Sequence, residues 1–303
     1  MEKHQIRIIS VLMVVVFATV ILVAPYLGHQ SNIDDERIGI VVTILPQAEF
    51  VEQIGKDKVQ VTVLIPPGAS PHTYEPTSSQ LKDVSHAKMY AKVGSGVEFE
   101  LVWMEKIIET NKEMLIVDCS KGIELREIEQ HTHEEEHEHL HEGMDPHIWL
   151  SIRNAIKMVQ NIRDGLTQIN PANADFYEQN AASYLQSLIE LDAEIQKNLA
   201  DVKNRSFMVF HPAWGYFADD YGLEQIPIEV EGKEPSAQDL AYLIEKAEEN
   251  NITVVFTSPQ FNPKSAEVIA EGIGGHLVFI DPLARDYVTN MRIVADTLVY
   301  GMN

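Results

Sequence analysis

The sequence predicts an α/β protein of two lobes, each built on a mainly parallel sheet flanked by helices and joined by one long rigid helix. Three observations carry this. Short apolar runs alternate with helix-period segments toward both ends of the 303-residue chain. Most of those runs are continuously apolar, as in strands covered on both faces of a parallel sheet. The middle of the chain is helical by pattern alone.

Taken in order, residues 38–45, 59–65, 89–93 and 114–118 read as the strands of a first lobe, with helices at 47–54, 78–85 and 98–109. Ile152, Ile156, Val159, Ile162, Leu166 and Ile169 then form an apolar stripe that stops before Asn170-Pro171. A second helix runs from near Ala174 to about Val202, with Ala181, Tyr184, Leu185, Leu188, Ile195 and Leu199 spaced at threes and fours. At 1.5 Å per residue it is roughly 40 Å long, more than one small lobe needs, which makes it a strut. Residues 207–210, 225–230, 252–257 and 277–280 supply the strands of a second lobe, and 237–250 and 264–273 its helices. Ser236 followed by Asp239 resembles a capping box, and Asn262-Pro263 is a cap with Pro at the first helical position. The expected division is a first lobe at 37–170 carrying a loop at 127–142, a connecting helix at 171–204 and a second lobe at 205–303.

Residues 1–36 differ from the rest. Lys3 and Arg7 precede an almost unbroken apolar run at 8–27, and Asp34-Asp35-Glu36 follow it. The run is close to the roughly 20 residues that span a bilayer, so it reads as an uncleaved anchor or a removed signal. Either way the body is expected on the outer face of the cytoplasmic membrane or in the periplasm. Cys119 is the only cysteine, so the chain has no internal disulfide and no CxxC site; after Ile116-Val117-Asp118 it reads as a small buried residue.

Net charge is −23, and setting aside the seven glutamates of residues 127–142 still leaves −16. Such a surface repels nucleic acid and favours cations. The tract itself holds His131, His133, His137, His139 and His141 among its glutamates, five of the twelve histidines. By composition it is a solvated acidic loop that also offers several weak chelate pairs, an accessory metal-gathering segment.

The other informative histidines lie apart: His72 in Pro71-His72-Thr73-Tyr74-Glu75-Pro76, His147 in Asp145-Pro146-His147-Ile148-Trp149 and His211 in Phe210-His211-Pro212-Ala213-Trp214. Asp281 opens Asp281-Pro282-Leu283-Ala284. Each alone is ordinary, since a histidine beside a proline is usually a loop residue and Asp-Pro a turn opener. Together they fall at strand ends or in loops facing between the lobes, where open parallel sheets bind ligands. Imidazoles and a carboxylate suit a divalent metal such as zinc. His86, at a helix end, and His276, leading into a strand, read as structural. Trp149 and Trp214 read as core that also packs beside the site and limits water.

These segments, with Glu231–Leu240, resemble in order those of the metal-binding cluster of ABC-transporter substrate-binding proteins, the zinc- and manganese-uptake receptors. The resemblance covers residues 38–303. It implies two α/β lobes on one long helix, His72, His147, His211 and Asp281 as metal ligands, and an ABC permease as membrane partner. Manganese-type members carry Glu where this chain has His211, and the His/Glu tract resembles the loop of zinc-specific members. Zn²⁺ is therefore the implied cargo, with Mn²⁺ the alternative. The absence of a lipid-anchor cysteine departs from the family pattern.

The function expected is a non-enzymatic, monomeric receptor that captures zinc and hands it to the permease. Three imidazoles and one carboxylate would close a tetrahedral shell and leave no position for an activated water. Metal should be lost below about pH 6 as imidazoles protonate. A zinc hydrolase using the three histidines, with Asp281 as base, is the alternative, although the chain has no His-Glu-x-x-His helix and no Ser or Cys nucleophile motif. A surface adhesin stabilised by metal is the third reading.

Overall fold

A computed structural model describes residues 37–128, 143–229 and 233–303. The expected anchor, the five histidines of the tract, and Glu231 and Gly232 lie outside the described residues. Among the described residues no helix is long and apolar enough to cross a membrane.

Residues 38–303 form one compact unit containing two four-stranded sheets. The first holds β1 (Ile38–Val42), β2 (Val59–Val63), β3 (Met89–Lys92) and β4 (Leu115–Asp118) in the order β2-β1-β3-β4, all parallel. Ile40 sits between Val61 and Met89 in register. The second holds β5 (Ser206–Val209), β6 (Glu224–Pro227), β7 (Val254–Thr257) and β8 (His276–Phe279) in the order β6-β5-β7-β8, again all parallel. The two lobes thus repeat one topology. In both, the first strand lies inside the sheet with its two successors on opposite sides. The chain therefore switches direction across the carboxyl ends of the central strands, the crevice where such sheets bind ligands.

The first lobe adds α1 (Leu45–Gly55), α2 (Ser78–His86) and α3 (Glu98–Thr110). The expected strand at 38–45 stops early because Pro46 opens α1, and Gln47 Oε1 accepts from the backbone N–H groups of Thr43 and Ile44 at 3.2 and 3.3 Å. A full capping box starts α2, where Thr77 accepts from Gln80 N and Gln80 reaches back to Thr77 N. Cys119 is buried, with its thiol pKa raised by that burial.

The helical middle is α4 (Ile152–Ile169) followed by the 26-residue α5 (Ala174–Leu199). Ser151 caps α4 by accepting from Asn154 N. The buried face of α5 is Tyr177, Ala181, Tyr184, Leu188, Leu191, Ile195 and Leu199, the predicted stripe. It packs on α1 and α4 and also on α9 (Tyr287–Met302), which lies against β5 and β7, so one helix is shared by both cores. Truncating fully buried Leu188 to Ala would cost about 2–5 kcal/mol.

Two helices of the second lobe were not expected: α9 itself and the short α6 (Gly215–Tyr221), which closes on Gly222 in the left-handed conformation at φ 65°. The lobe is completed by α7 (Ala237–Glu249), with the Ser236–Asp239 capping box, and α8 (Lys264–Gly272). Where the lobes meet, Trp149 Nε1 donates to Pro282 O at 2.7 Å and Tyr287 Oη donates to Trp149 O at 2.6 Å. Glu49 accepts from Tyr184 Oη at 2.7 Å and from the backbone N–H of Tyr287, and Arg285 pairs with Glu52.

Candidate metal centre

His72 lies in the loop after β2, which turns on Ser70: the backbone N–H groups of Thr73 and Tyr74 both donate to Ser70 O. His147 immediately precedes a 3₁₀ turn at Ile148–Leu150, and its own N–H donates to Asp145 Oδ1 at 3.0 Å. His211 leaves β5 one residue beyond Phe210, which is still paired to β7 through Phe256 O. Its ring stacks on Phe261 at 4.6 Å.

These three loops bring the imidazoles together. His211 Nε2 lies 3.2 Å from both His72 Nε2 and His147 Nε2, and one nitrogen from each ring falls within 4.8 Å of the others. Two imidazoles on one tetrahedral zinc, with Zn–N near 2.05 Å, hold their nitrogens about 3.3 Å apart. Two of the three spacings are already those of a shared ion.

What occupies the far nitrogen of each ring decides the chemistry. His147 Nδ1 hydrogen-bonds Asp145 Oδ1 at 2.8 Å and His211 Nδ1 Glu229 Oε1 at 3.4 Å, while His72 Nδ1 lies 2.9 Å from Glu98 Oε2 in an ion-pair contact without hydrogen-bond alignment. An ionised carboxylate only accepts, so each Nδ1 carries the proton and each Nε2 presents a lone pair. Three lone pairs therefore converge with no donor among them. That arrangement calls for a cation, and carboxylate-oriented histidines are how proteins hold one.

The surroundings tune the rings differently. His211 is pushed down to about 4, chiefly by burial and further by the two neighbouring histidines, with Glu229 opposing. It stays an unprotonated donor well below the pH 6 expected from an ordinary imidazole. Burial raises Asp145, but the hydrogen bond and charge of His147, with help from Arg126, outweigh it and leave the carboxyl below its usual range. Glu98 is likewise lowered on balance, His72 overcoming the effect of burial. Arg126 Nη1 reaches Asp145 Oδ2 at 3.2 Å while its Nε donates to Asp219 at 2.8 Å, tying His147's carboxylate to α6.

The rings line a cleft of about 460 Å³ together with Ser70, Thr73, Arg126, Ile128 and Pro227. A smaller cavity of about 10 Å³ is also lined by the rings, together with Trp149, Gln260, Phe261 and Leu283 among others. Trp149 packs its ring 5.4 Å from His147, as expected of it. Trp214 is core, edge-on to Phe217, and lines neither cavity.

Asp281 does not join the group. It follows β8 as expected, but its Oδ1 accepts from Gln260 Nε2 at 2.8 Å and from Leu283 N at 2.9 Å. His86 bonds Lys82 O at the end of α2, and His276 begins β8; neither approaches the site. Sequence reasoning did not assign Glu98, Asp145 or Glu229 a role. Only Asp145, two residues before His147, left a local signal.

The family model for zinc-uptake complex component A, periplasmic, matches residues 40–301. The chain belongs to this family. Within the component A family, the high-affinity zinc uptake system protein ZnuA of Bacillus subtilis (strain 168) is 35% identical over 257 residues, covering 82% of this chain and 79% of that one. The zinc-binding lipoprotein AdcA of Streptococcus pneumoniae (strain R6) is 32% identical over 256 residues, and the match spans only 50% of its length. A crystal structure of ZnuA superposes with a TM-score of 0.82 at 43% identity, covering 88% of this chain and 100% of that one. The component A fold of two parallel-sheet lobes and a long helix is the fold described above.

Proposed function

We propose that this chain is the extracytoplasmic receptor of an ABC-type zinc uptake system, holding Zn²⁺ on His72, His147 and His211 and passing it to a membrane permease. The convergence of three Nε2 lone pairs, each ring anchored by a carboxylate at Nδ1, carries the reading. The zinc named for the Bacillus and Streptococcus relatives agrees with it. An all-imidazole set also favours zinc over manganese, which is better served by carboxylate oxygens.

The reading is of a receptor rather than a hydrolase. A hydrolase needs a base within reach of a metal-bound water. Here the three carboxylates at the rings are each engaged by an Nδ1, and Asp281 is held by Gln260 and Leu283. We assign residues 37–170 and 205–303 to the two metal-facing lobes, 171–204 to the connecting helix and 8–27 to the membrane anchor or signal, the working unit being a monomer. The tract bearing His131, His133, His137, His139 and His141 is assigned an accessory metal-gathering role. In support, its flanks are pinned together by a Glu127–Met144 bridge and an Ile128 N to Gly143 O bond of 3.1 Å, and Ile128 lines the cleft.

Competition titration of purified protein with zinc and manganese tests the assignment. Zinc should bind one to one at the cleft and resist exchange by manganese, and His147→Ala should lose that binding. Unchanged zinc affinity in His147→Ala would overturn it.

A further inference from the structure

Gln80, at the third position of α2, does more than complete the capping box at Thr77. Its Nε2 donates to two backbone carbonyls where β2 ends, Val63 O at 3.2 Å and Leu64 O at 2.6 Å. Its Oε1 accepts from Thr77 N at 2.9 Å, Thr77 Oγ1 at 3.2 Å and Tyr74 Oη at 3.0 Å. The orientation is fixed from both ends. The carbonyls only accept and Thr77 N only donates, so a flipped amide would lose contacts on both sides.

These partners are the two ends and the middle of one segment, which leaves β2 at Leu64, passes His72 and enters α2 at Ser78. One side chain therefore ties the exit from the sheet to the entry into the helix, and grips Tyr74 two residues beyond His72. The Tyr74 ring lies 6.4 Å from that of Phe99, whose backbone N–H donates to Pro71 O at 3.2 Å, just before His72. The direct hold on the imidazole is weaker, since its contact with Glu98 lacks hydrogen-bond alignment. Gln80 itself lines neither cavity at the rings, so it can act on the site only through this loop. A glutamate would complete a capping box equally well, but it could not donate to Val63 and Leu64. The cap alone does not call for an amide; the link to β2 does.

We propose that Gln80 is a positioning residue for metal retention: by clasping the loop of His72 at its base, it sets how long the ion stays bound. This rests on the three-histidine reading above. His147 and His211 are fixed independently, through Asp145 and Phe261, so an ion can still enter on those two rings when the loop is loose. The third bond closes the shell and slows departure. Loss of the clasp should therefore raise the dissociation rate and spare association. Removing a group that orients a ligand directly costs about 10- to 100-fold in affinity, and Gln80 acts one link further out, which points to about tenfold.

The test follows zinc dissociation from the purified protein into excess chelator by stopped flow, with affinity from competition titration and stability from urea unfolding. At pH 7, where the introduced carboxyl is ionised, Gln80→Glu keeps the cap and loses the link to β2; dissociation should quicken about tenfold, with association within about twofold. Tyr74→Phe removes one of the five contacts and should quicken dissociation about two- to threefold. Gln80→Ala should match Gln80→Glu in dissociation while losing more stability, because the cap goes too. In a His72→Ala background, Gln80→Glu should change zinc affinity by no more than about twofold. Unchanged dissociation in Gln80→Glu would overturn the proposal. So would an equal loss of affinity with and without His72, which is what general loosening of the fold gives. Should Gln80→Ala fail to fold, Gln80→Glu decides alone. Zinc affinity untouched in His72→Ala would instead refute the three-histidine site, a separate failure.

Discussion

The carboxylates at the three Nδ1 positions should contribute unequally, in an order the structure sets. Replacing Asp145, Glu229 or Glu98 by its amide keeps the shape and removes the charge that orients each ring. Losing such a partner ordinarily costs 10- to 100-fold in metal affinity, about 1.4–2.7 kcal/mol. Burial and distance place each residue within or below that range. Asp145 has a side chain 3% exposed, touches Nδ1 at 2.8 Å, and also accepts from His147 N and Arg126. An amide there must point its NH₂ at the donors on one side, His147 or Arg126, so one contact becomes repulsive, and Asp145→Asn should lose about 30- to 100-fold. Glu229 is 7% exposed but sits 3.4 Å from its ring, so Glu229→Gln should lose about tenfold. Glu98 is close, at 2.9 Å, but the contact lacks hydrogen-bond alignment and the side chain is 47% exposed, so Glu98→Gln should lose at most about fivefold, about 1 kcal/mol. The assay is zinc competition against a chromophoric chelator at fixed pH and salt, with circular dichroism to confirm folding. Equal losses at all three positions, or the largest loss at Glu98, would refute the idea that buried carboxylates preorganise the rings.

Three further outcomes follow from the packing. Gly215→Ala would place a Cβ 1.7 Å from Arg126 Nη1 and 2.8 Å from Asp145 Oδ2, so the arginine must retreat; zinc affinity should fall several-fold, by less than in Asp145→Asn, in the same titration. Trp149→Phe leaves Pro282 O without its donor at the lobe junction and should destabilise the protein by about 1–3 kcal/mol in urea unfolding. Glu49 has its carboxyl raised above 4.5, by burial first and then Asp286, with Tyr184 and the backbone N–H of Tyr287 opposing. The folded state therefore holds this proton more tightly than the unfolded chain, and the contribution to stability declines as pH rises from about 4.5 through the folded value. Glu49→Gln removes that decline, so its stability relative to the native protein should improve from pH 4 to pH 7; a pH-independent difference would contradict the assignment.

Strands were legible where burial on both faces leaves nothing but apolar residues, as at Ile40-Val41-Val42 and Val254-Val255-Phe256. The shared helix was legible because one unbroken stripe from Tyr177 to Leu199 must serve two cores. The terminal helix was equally readable, with buried Tyr287, Met291, Val294, Leu298 and Met302 at threes and fours behind an Asp286 cap, yet it went unassigned. The short α6 gave nothing to read: it starts at a glycine, has no side-chain cap and is buried nearly all round. At the candidate site, position along the chain placed His72, His147 and His211 in loops that converge. Orientation is another matter. Glu98 at the start of α3 meets His72, and Glu229 meets His211, only because separate segments converge, and no spacing encodes that. Asp281 shows the same limit from the other side, since the direction of its carboxylate depends on Gln260 in a different loop.

A receptor that captures metal must also let it go, and the lobe junction bears on how. Opening the lobes as rigid bodies would break the bonds of Trp149 to Pro282, Tyr287 to Trp149, and Glu49 to Tyr287 together. At about 1–3 kcal/mol for each buried group left unpaired, that is several kcal/mol before any packing on the shared helix is counted. The loops are a cheaper route, and they are not equal. His147 is 9% exposed in its side chain and locked through Asp145 to Arg126; His211 is 11% exposed and stacked on Phe261. His72 is 26% exposed, beside a half-exposed glutamate, on a loop that lines the cleft. On the proposed three-histidine site, the least costly distortion is withdrawal of His72, which leaves the other two rings in place to receive the next ion.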